Sequence, residues 1–98
     1  MDAAAAIADP IRRRVLELVR DRELPAGELA AEFDVSRPAV SRHLRVLREA
    51  GLVRERRDGK LRLYRVDPAP LAELRDWLDG YWAGRLDALR TLAEKEEQ

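Results

Sequence analysis

The sequence predicts a mainly α-helical domain carrying one small β-hairpin, with five helices and the hairpin set between the fourth and the fifth. Three observations predict it. From Ser36 to Ala50, Val40, Leu44 and Leu47 recur at steps of four and three, which gives a helix one apolar stripe. From Leu52 to Val66, two partly alternating runs flank Asp58-Gly59-Lys60, a strong hairpin signal. From Pro70 to about Lys95, Leu71, Leu74, Leu78, Tyr81, Trp82, Leu86, Leu89 and Leu92 recur at three- and four-residue spacing, a long helical pattern.

Taken in order, Asp2 is a candidate cap for a short helix over Ala3 to Ile7, where alanine favours helix intrinsically. Asp9 caps a second helix, and Pro10 takes its first position. Ile11, Val15, Leu18 and Val19 form its buried stripe. Arg12, Arg13 and Arg14 point mostly outward, and three cations near a helix start oppose the macrodipole. They therefore call for a phosphate or an acidic neighbour, with a plain surface role as the alternative. Asp21 to Ala26 reads as a turn. Gly27 to Val35 is a short helical pattern with Leu29, Ala30 and Phe33 apolar, closed by a tight turn at Asp34-Val35. Ser36 is a good N-cap for the next helix, because its hydroxyl accepts from an orphan backbone N–H. Pro38 costs nothing in the first turn, and Gly51 sits where a C′ glycine belongs.

That fourth helix has two incompatible sides. Opposite the apolar stripe lie Pro38, Ser41, Arg42, Arg45 and Glu49, with Arg37 and Arg48 at the margin. The hairpin strands run Leu52 to Arg57 and Leu61 to Val66, and Tyr64 is expected to pack between hairpin and helices. Asp67-Pro68 is a second Asp-Pro helix start, and Glu94 to Gln98 is expected to fray. The chain of 98 residues suits a single domain, 1–98, with 26–50 as a helix-turn-helix and 52–66 as a wing. So small a domain buries a modest core, so association would help it.

The charge is zero overall, with 19 basic and 19 acidic residues, but it is not evenly spread. Ser36 to Arg65 holds ten Lys/Arg against Glu49, Glu55 and Asp58, a local net of +7. The segment before it carries −3 and the segment after it −4. A one-sided basic footprint is the electrostatic signature of a nucleic-acid binder, which the net charge alone conceals. Helix, short turn, helix and basic hairpin make the winged helix-turn-helix layout. The DNA major groove admits one helix, and Arg and Ser read base edges and phosphates. The expected DNA-binding residues are Ser36, Arg37, Pro38, Ser41, Arg42, His43 and Arg45 on the helix, and Arg56, Arg57, Lys60 and Arg62 on the wing. Arg42 is the first choice for a bidentate guanine contact. Arg48 and Arg54 are expected to meet phosphates or internal acids.

The run VSRHLRVLREAGLVRERRDGKLRLYRVD closely resembles the ArsR family of bacterial winged helix-turn-helix repressors. Ala8-Asp9-Pro10-Ile11-Arg12-Arg13 resembles the "ADPxRR" start of that family's second helix, and His43 matches the histidine of its "VSxHL" segment. The resemblance covers roughly Ile7 to Leu92. It implies a homodimer built from the first and last helices, with 1–8 and 68–95 as dimerisation helices, and hence an interface at Ala4, Ile7, Leu74, Trp77, Leu78, Tyr81, Trp82, Leu86 and Leu89. A two-fold dimer would place two recognition helices about one DNA turn apart, facing a palindromic operator. For His43 the residues themselves leave two roles open, a base contact or a ring N–H satisfied by backbone or by a neighbouring turn.

Many members of the family bind a metal or metalloid through Cys in the helix before the recognition helix, or through Asp and His on the last helix. This chain has no Cys, and His43 is its one His, so that site is not expected here. Carboxylates such as Asp76, Asp79 or Asp87 would favour hard cations of low selectivity. With no nucleophile elbow and no Gly-rich phosphate loop, nothing supports an enzyme, and no cofactor is expected. There is no long apolar run and the first residues lack a basic leader, so the expectation is a cytoplasmic protein at the bacterial nucleoid, with no membrane partner. The expected function is a homodimeric repressor. Its rivals are a regulator of the same fold released by a small apolar molecule held between the last helices, and a protein-interaction module that reuses the winged fold.

Overall fold

The computed structural model describes residues 2–96, without the side chains of Leu86 and Glu96. Short polar side chains start all its helices but the third, which follows Pro25 without a side-chain cap. Helix α1 (Ala3–Ala6) begins where the Asp2 carboxylate accepts from the Ala5 N–H at 2.8 Å. Helix α2 (Pro10–Leu18) begins where Asp9 Oδ1 accepts from the Ile11 and Arg12 N–H groups at 2.8 and 3.2 Å. Helix α3 (Ala26–Ala31) follows the two-residue strand β1 (Leu24–Pro25). Helix α4 (Arg37–Glu49) starts with the Ser36 hydroxyl accepting from the Ala39 N–H at 3.2 Å. It ends in a Schellman motif: the Leu52 N–H donates to the Leu47 carbonyl at 2.9 Å and the Gly51 N–H to the Arg48 carbonyl at 3.0 Å. Gly51 sits at φ +76°, the left-handed conformation this motif demands. Strands β2 (Val53–Asp58) and β3 (Leu61–Val66) form the hairpin, and the Asp67 carboxylate accepts from the Ala69 N–H at 3.1 Å to open α5 (Ala69–Glu96).

The sheet has three antiparallel strands in the order β1-β3-β2, one more than the hairpin expected from the sequence. The segment read as a turn places Leu24 and Pro25 opposite Tyr64 and Leu63. Two residues show no period, which is why the strand escapes a pattern search. Within the hairpin Asp58 pairs with Leu61, so the loop is Gly59-Lys60, with Gly59 at φ +62°. Glycine at the first central position is the requirement of a type II′ turn. Helix α3 also stops short of the expected Val35, leaving Phe33 half-buried in the turn before α4.

The core gathers Val15, Leu16 and Val19 of α2 and its C-cap, Leu29 of α3, Val40, Leu44 and Leu47 of α4, then Leu52, Val53 and Tyr64. The stripe read for α4 is buried at all three positions. In α2 the buried residues are Val15, Leu16 and Val19, while Ile11 and Leu18 stay half-buried. Leu71 of α5 packs at the edge of this core. Beyond Leu74 every described side chain of α5 is exposed. At 1.5 Å per residue its 28 residues span about 42 Å. The molecule accordingly measures 68 × 26 × 23 Å. Among the described residues no helix is long and apolar enough to cross a membrane.

Candidate nucleic-acid interface

Burying Val40, Leu44 and Leu47 fixes which way α4 turns its other side. Ser36, Arg37, Pro38, Ser41, Arg42 and Arg45 are all exposed on it. The wing contributes through its register. Side chains alternate across a strand, so Glu55, Tyr64, Arg57 and Arg62 share the face that looks toward α4, while Arg54, Arg65, Arg56 and Leu63 share the outer face. Between α4 and β3 lies a cleft of about 270 Å³ lined by Ser41, Arg45, Arg48, Arg62 and Tyr64.

The ten cations from Ser36 to Arg65 fall into two groups. Arg48 and Arg62 both pair with Glu55, at 2.7 and 3.7 Å. Arg54 pairs with Asp67 at 3.1 Å, and Arg56 with Glu23 at 2.9 Å. Among the described residues Arg37, Arg42, Arg45, Arg57, Lys60 and Arg65 have no acid partner. Arg56 and Arg62, expected to meet the DNA backbone or minor groove, are therefore already partnered in this structure. Arg48 and Arg54 take the internal acids that were one of their two expected roles. The sequence reading missed Glu23, Glu55 and Asp67 as partners. For Glu55 the signal was available, because the hairpin register itself puts it opposite Tyr64 and diagonal to Arg62.

Several groups here titrate away from their ordinary values. Burial pushes the Glu55 carboxyl up, but the hydrogen bond and charge of Arg48, then Arg62 and the Tyr64 hydroxyl, hold it below the usual carboxylate range. The Tyr64 phenol is raised by burial and by the Glu55 charge. The Ala69 N–H and Arg54 lower Asp67. Glu23 raises Arg56 further.

His43 stands apart from the exposed side of α4. Its Nδ1 lies 3.2 Å from Arg12 Nη1 and 4.0 Å from Asp9 Oδ1. The ring is thus turned toward Asp9 and Arg12 at the start of α2. Asp9 feels burial, which raises it, but the Arg12 and Ile11 N–H groups and the charges of His43 and Arg12 hold it low. Arg12 also donates to the Ala6 carbonyl at 2.6 Å, and Arg13 to the Ile7 carbonyl at 2.8 Å. These two arginines satisfy the carbonyl end of α1, where a cation is favoured. Arg14 pairs with Glu17 at 3.1 Å.

The face expected to bind a second chain is open. Trp77 is 64% exposed, Trp82 50% and Leu89 61%, with Leu78 and Tyr81 exposed as well. Trp77 and Tyr81 stack with centroids 5.7 Å apart, Trp82 meets Tyr81 edge-on at 5.5 Å, and the Arg85 guanidinium lies 4.5 Å from the Tyr81 ring. Ala4 is exposed, and Ile7 and Leu74 are half-buried near the foot of the helix. The side chain of Leu86, also expected here, lies outside the described residues. Exposed Leu92 extends the patch along α5. So large an apolar patch is a mark of an interaction surface. Among the described residues no cluster of three or more His, Cys, Asp or Glu side chains is placed to hold a metal ion.

The family model described as "Bacterial regulatory protein, arsR family" matches residues 9–55 of this chain. Over 91 residues the chain is 45% identical to the HTH-type transcriptional regulator Rv2034 of Mycobacterium tuberculosis, covering 93% of this chain and 85% of that protein. It is 33% identical over 73 residues to the transcriptional repressor SdpR of Bacillus subtilis, covering 74% and 81%. A solved structure described as a possible transcriptional regulator for arsenical resistance superposes with a TM-score of 0.78 at 48% identity, over 91% of this chain and 93% of that one.

Proposed function

This chain belongs to the ArsR family of bacterial regulatory proteins, it is a DNA-binding transcriptional regulator and not an enzyme, and on that premise we propose that it is a homodimeric repressor of a palindromic operator. The observation that carries the proposal is the capped helix α4, whose exposed side holds Ser36, Arg37, Pro38, Ser41, Arg42 and Arg45. The three arginines of that side have no acid partner among the described residues, so a groove receives them without an ion pair being broken. Arg42 reads a guanine edge through two parallel hydrogen bonds. Arg57 and Lys60 at the wing meet the backbone or minor groove. The exposed aromatic face of α5, with Ala4 and Ile7 of the first helix, joins two chains, and the family's usual metal site is not carried over. The chain acts in the cytoplasm as one domain.

Selection of bound sequences from random duplex DNA tests this reading. The expected result is a palindrome with half-sites about one helical turn apart, roughly 10 base pairs centre to centre. Absence of any enriched sequence, or a chain that stays single at micromolar concentration, would overturn it.

A further inference from the structure

An acid inside a surface meant for phosphates needs a reason. Glu55 is the one carboxylate on the α4-facing side of the hairpin, where its neighbours by register are Arg57, Arg62 and Tyr64. Its side chain is 17% exposed and collects two hydrogen-bond donors and a second guanidinium charge from two elements. Arg48 of α4 reaches it at 2.7 Å, the Tyr64 hydroxyl at 3.3 Å and Arg62 at 3.7 Å. The first is a short charge-assisted bond of the strong kind. Arg48 and Arg62 are half exposed and line the same cleft as Ser41 and Arg45. One carboxylate thus holds two of the three guanidiniums around that cleft, while Arg45 has no acid partner among the described residues.

We propose that Glu55 is a positioning residue that holds Arg48 and Arg62 off the DNA phosphates, so that the sequence-independent part of DNA affinity stays below what the basic segment would otherwise give. The inference rests on the DNA-binding reading above. Phosphate contacts fix register but carry no sequence information, so each additional one strengthens binding to every competing site. Restraining two arginines beside the base-reading side of α4 leaves that side to decide where the protein binds. The same clamp joins wing to recognition helix, so the two approach DNA as one piece.

The test is a salt titration of binding to a random-sequence duplex, with the parent protein and the Glu55→Gln variant side by side. Glutamine keeps the size and an acceptor for Tyr64 but removes the charge. The expected result is tighter binding by the variant and a log-log salt slope steeper by about one unit for each guanidinium that reaches a phosphate. An unchanged or shallower slope overturns the masking role, since a purely structural residue, or one that presents the arginines to DNA, would give that outcome. A second arm does not depend on that variant folding. In the parent background Arg48→Gln and Arg62→Gln should leave the slope unchanged, and a loss of about one unit in either would overturn the proposal. In the Glu55→Gln background each of these changes should remove about one unit of the slope gained, and the two together should return it to the parent value, the non-additivity expected of a coupled pair. A parent that ignores duplex DNA altogether would instead sink the DNA-binding reading on which this rests.

Discussion

Arg42 stands exposed within the second turn of α4, and among the described residues no acid holds it. Replacing it by alanine should cost about 1–3 kcal/mol of operator binding and relax discrimination at one base position. Binding to single-base operator variants checks this, and an equal loss on every variant would reassign Arg42 to a phosphate. Lys60, beside the Gly59 turn at the wing tip, is proposed for the other kind of contact, with a phosphate. Its loss should weaken all sequences alike and flatten the salt slope by about one unit, measured on operator and random duplex together. Three carboxyls contribute to the response to acid. Asp9, Glu55 and Asp67 all titrate below their ordinary values in the folded chain, so in mild acid the unfolded chain binds more protons. Their contribution is therefore present above the ordinary carboxylate range, near pH 4, and is lost as pH falls through it and through the lower folded values. Denaturant melts followed from neutral to acid pH should show that decline. Asp9→Asn should make it shallower, and a variant with the parent's full pH dependence would exclude Asp9 as a contributor.

At the scale of elements, α4 depends on its ends as well as its stripe. Ser36→Ala removes the acceptor for the Ala39 N–H and should cost about 1 kcal/mol of stability, read from a denaturation midpoint, while Ser36→Gly should cost only a few tenths. Equal effects of the two would mean the hydroxyl is not acting as a cap. The elements were legible in the sequence wherever a local rule governs them. Asp2, Asp9, Ser36 and Asp67 cap helix starts because a short acceptor must sit beside the first orphan N–H groups, and that is a matter of adjacent residues. Val40, Leu44 and Leu47 announce a buried face for the same reason. Strand β1 was not legible, because Leu24 and Pro25 become a strand only by lying beside β3, some forty residues later. The candidate site divides in the same way. The exposed side of α4 follows from helical period alone. The pairing of Arg56 with Glu23, or the turning of His43 toward Asp9 and Arg12, depends on tertiary placement that no spacing encodes.

For the whole molecule the governing fact is that α5 leaves the core. Trp77, Tyr81 and Trp82 sit on a rod that its own domain does not cover, and burying an aromatic side chain is worth a few kcal/mol. Two chains joined along these rods would carry two copies of α4 and a thermal midpoint that rises with protein concentration. Trp82→Glu should shift sedimentation toward the single chain and remove that concentration dependence while leaving the domain folded. An unchanged mass would mean that Trp82 lies outside the contact. The small sheet bears on the same question from the opposite side. Its outer strands are β1 and β2. The first is two residues long and ends in a proline with no N–H to give, and the second carries Arg54, Arg56 and Arg57 along its rim. A foreign strand therefore finds neither a ladder to extend nor a neutral margin to approach. The sheet is closed to growth at both borders, and a second copy would be left with helices that pair and stop rather than strands that propagate.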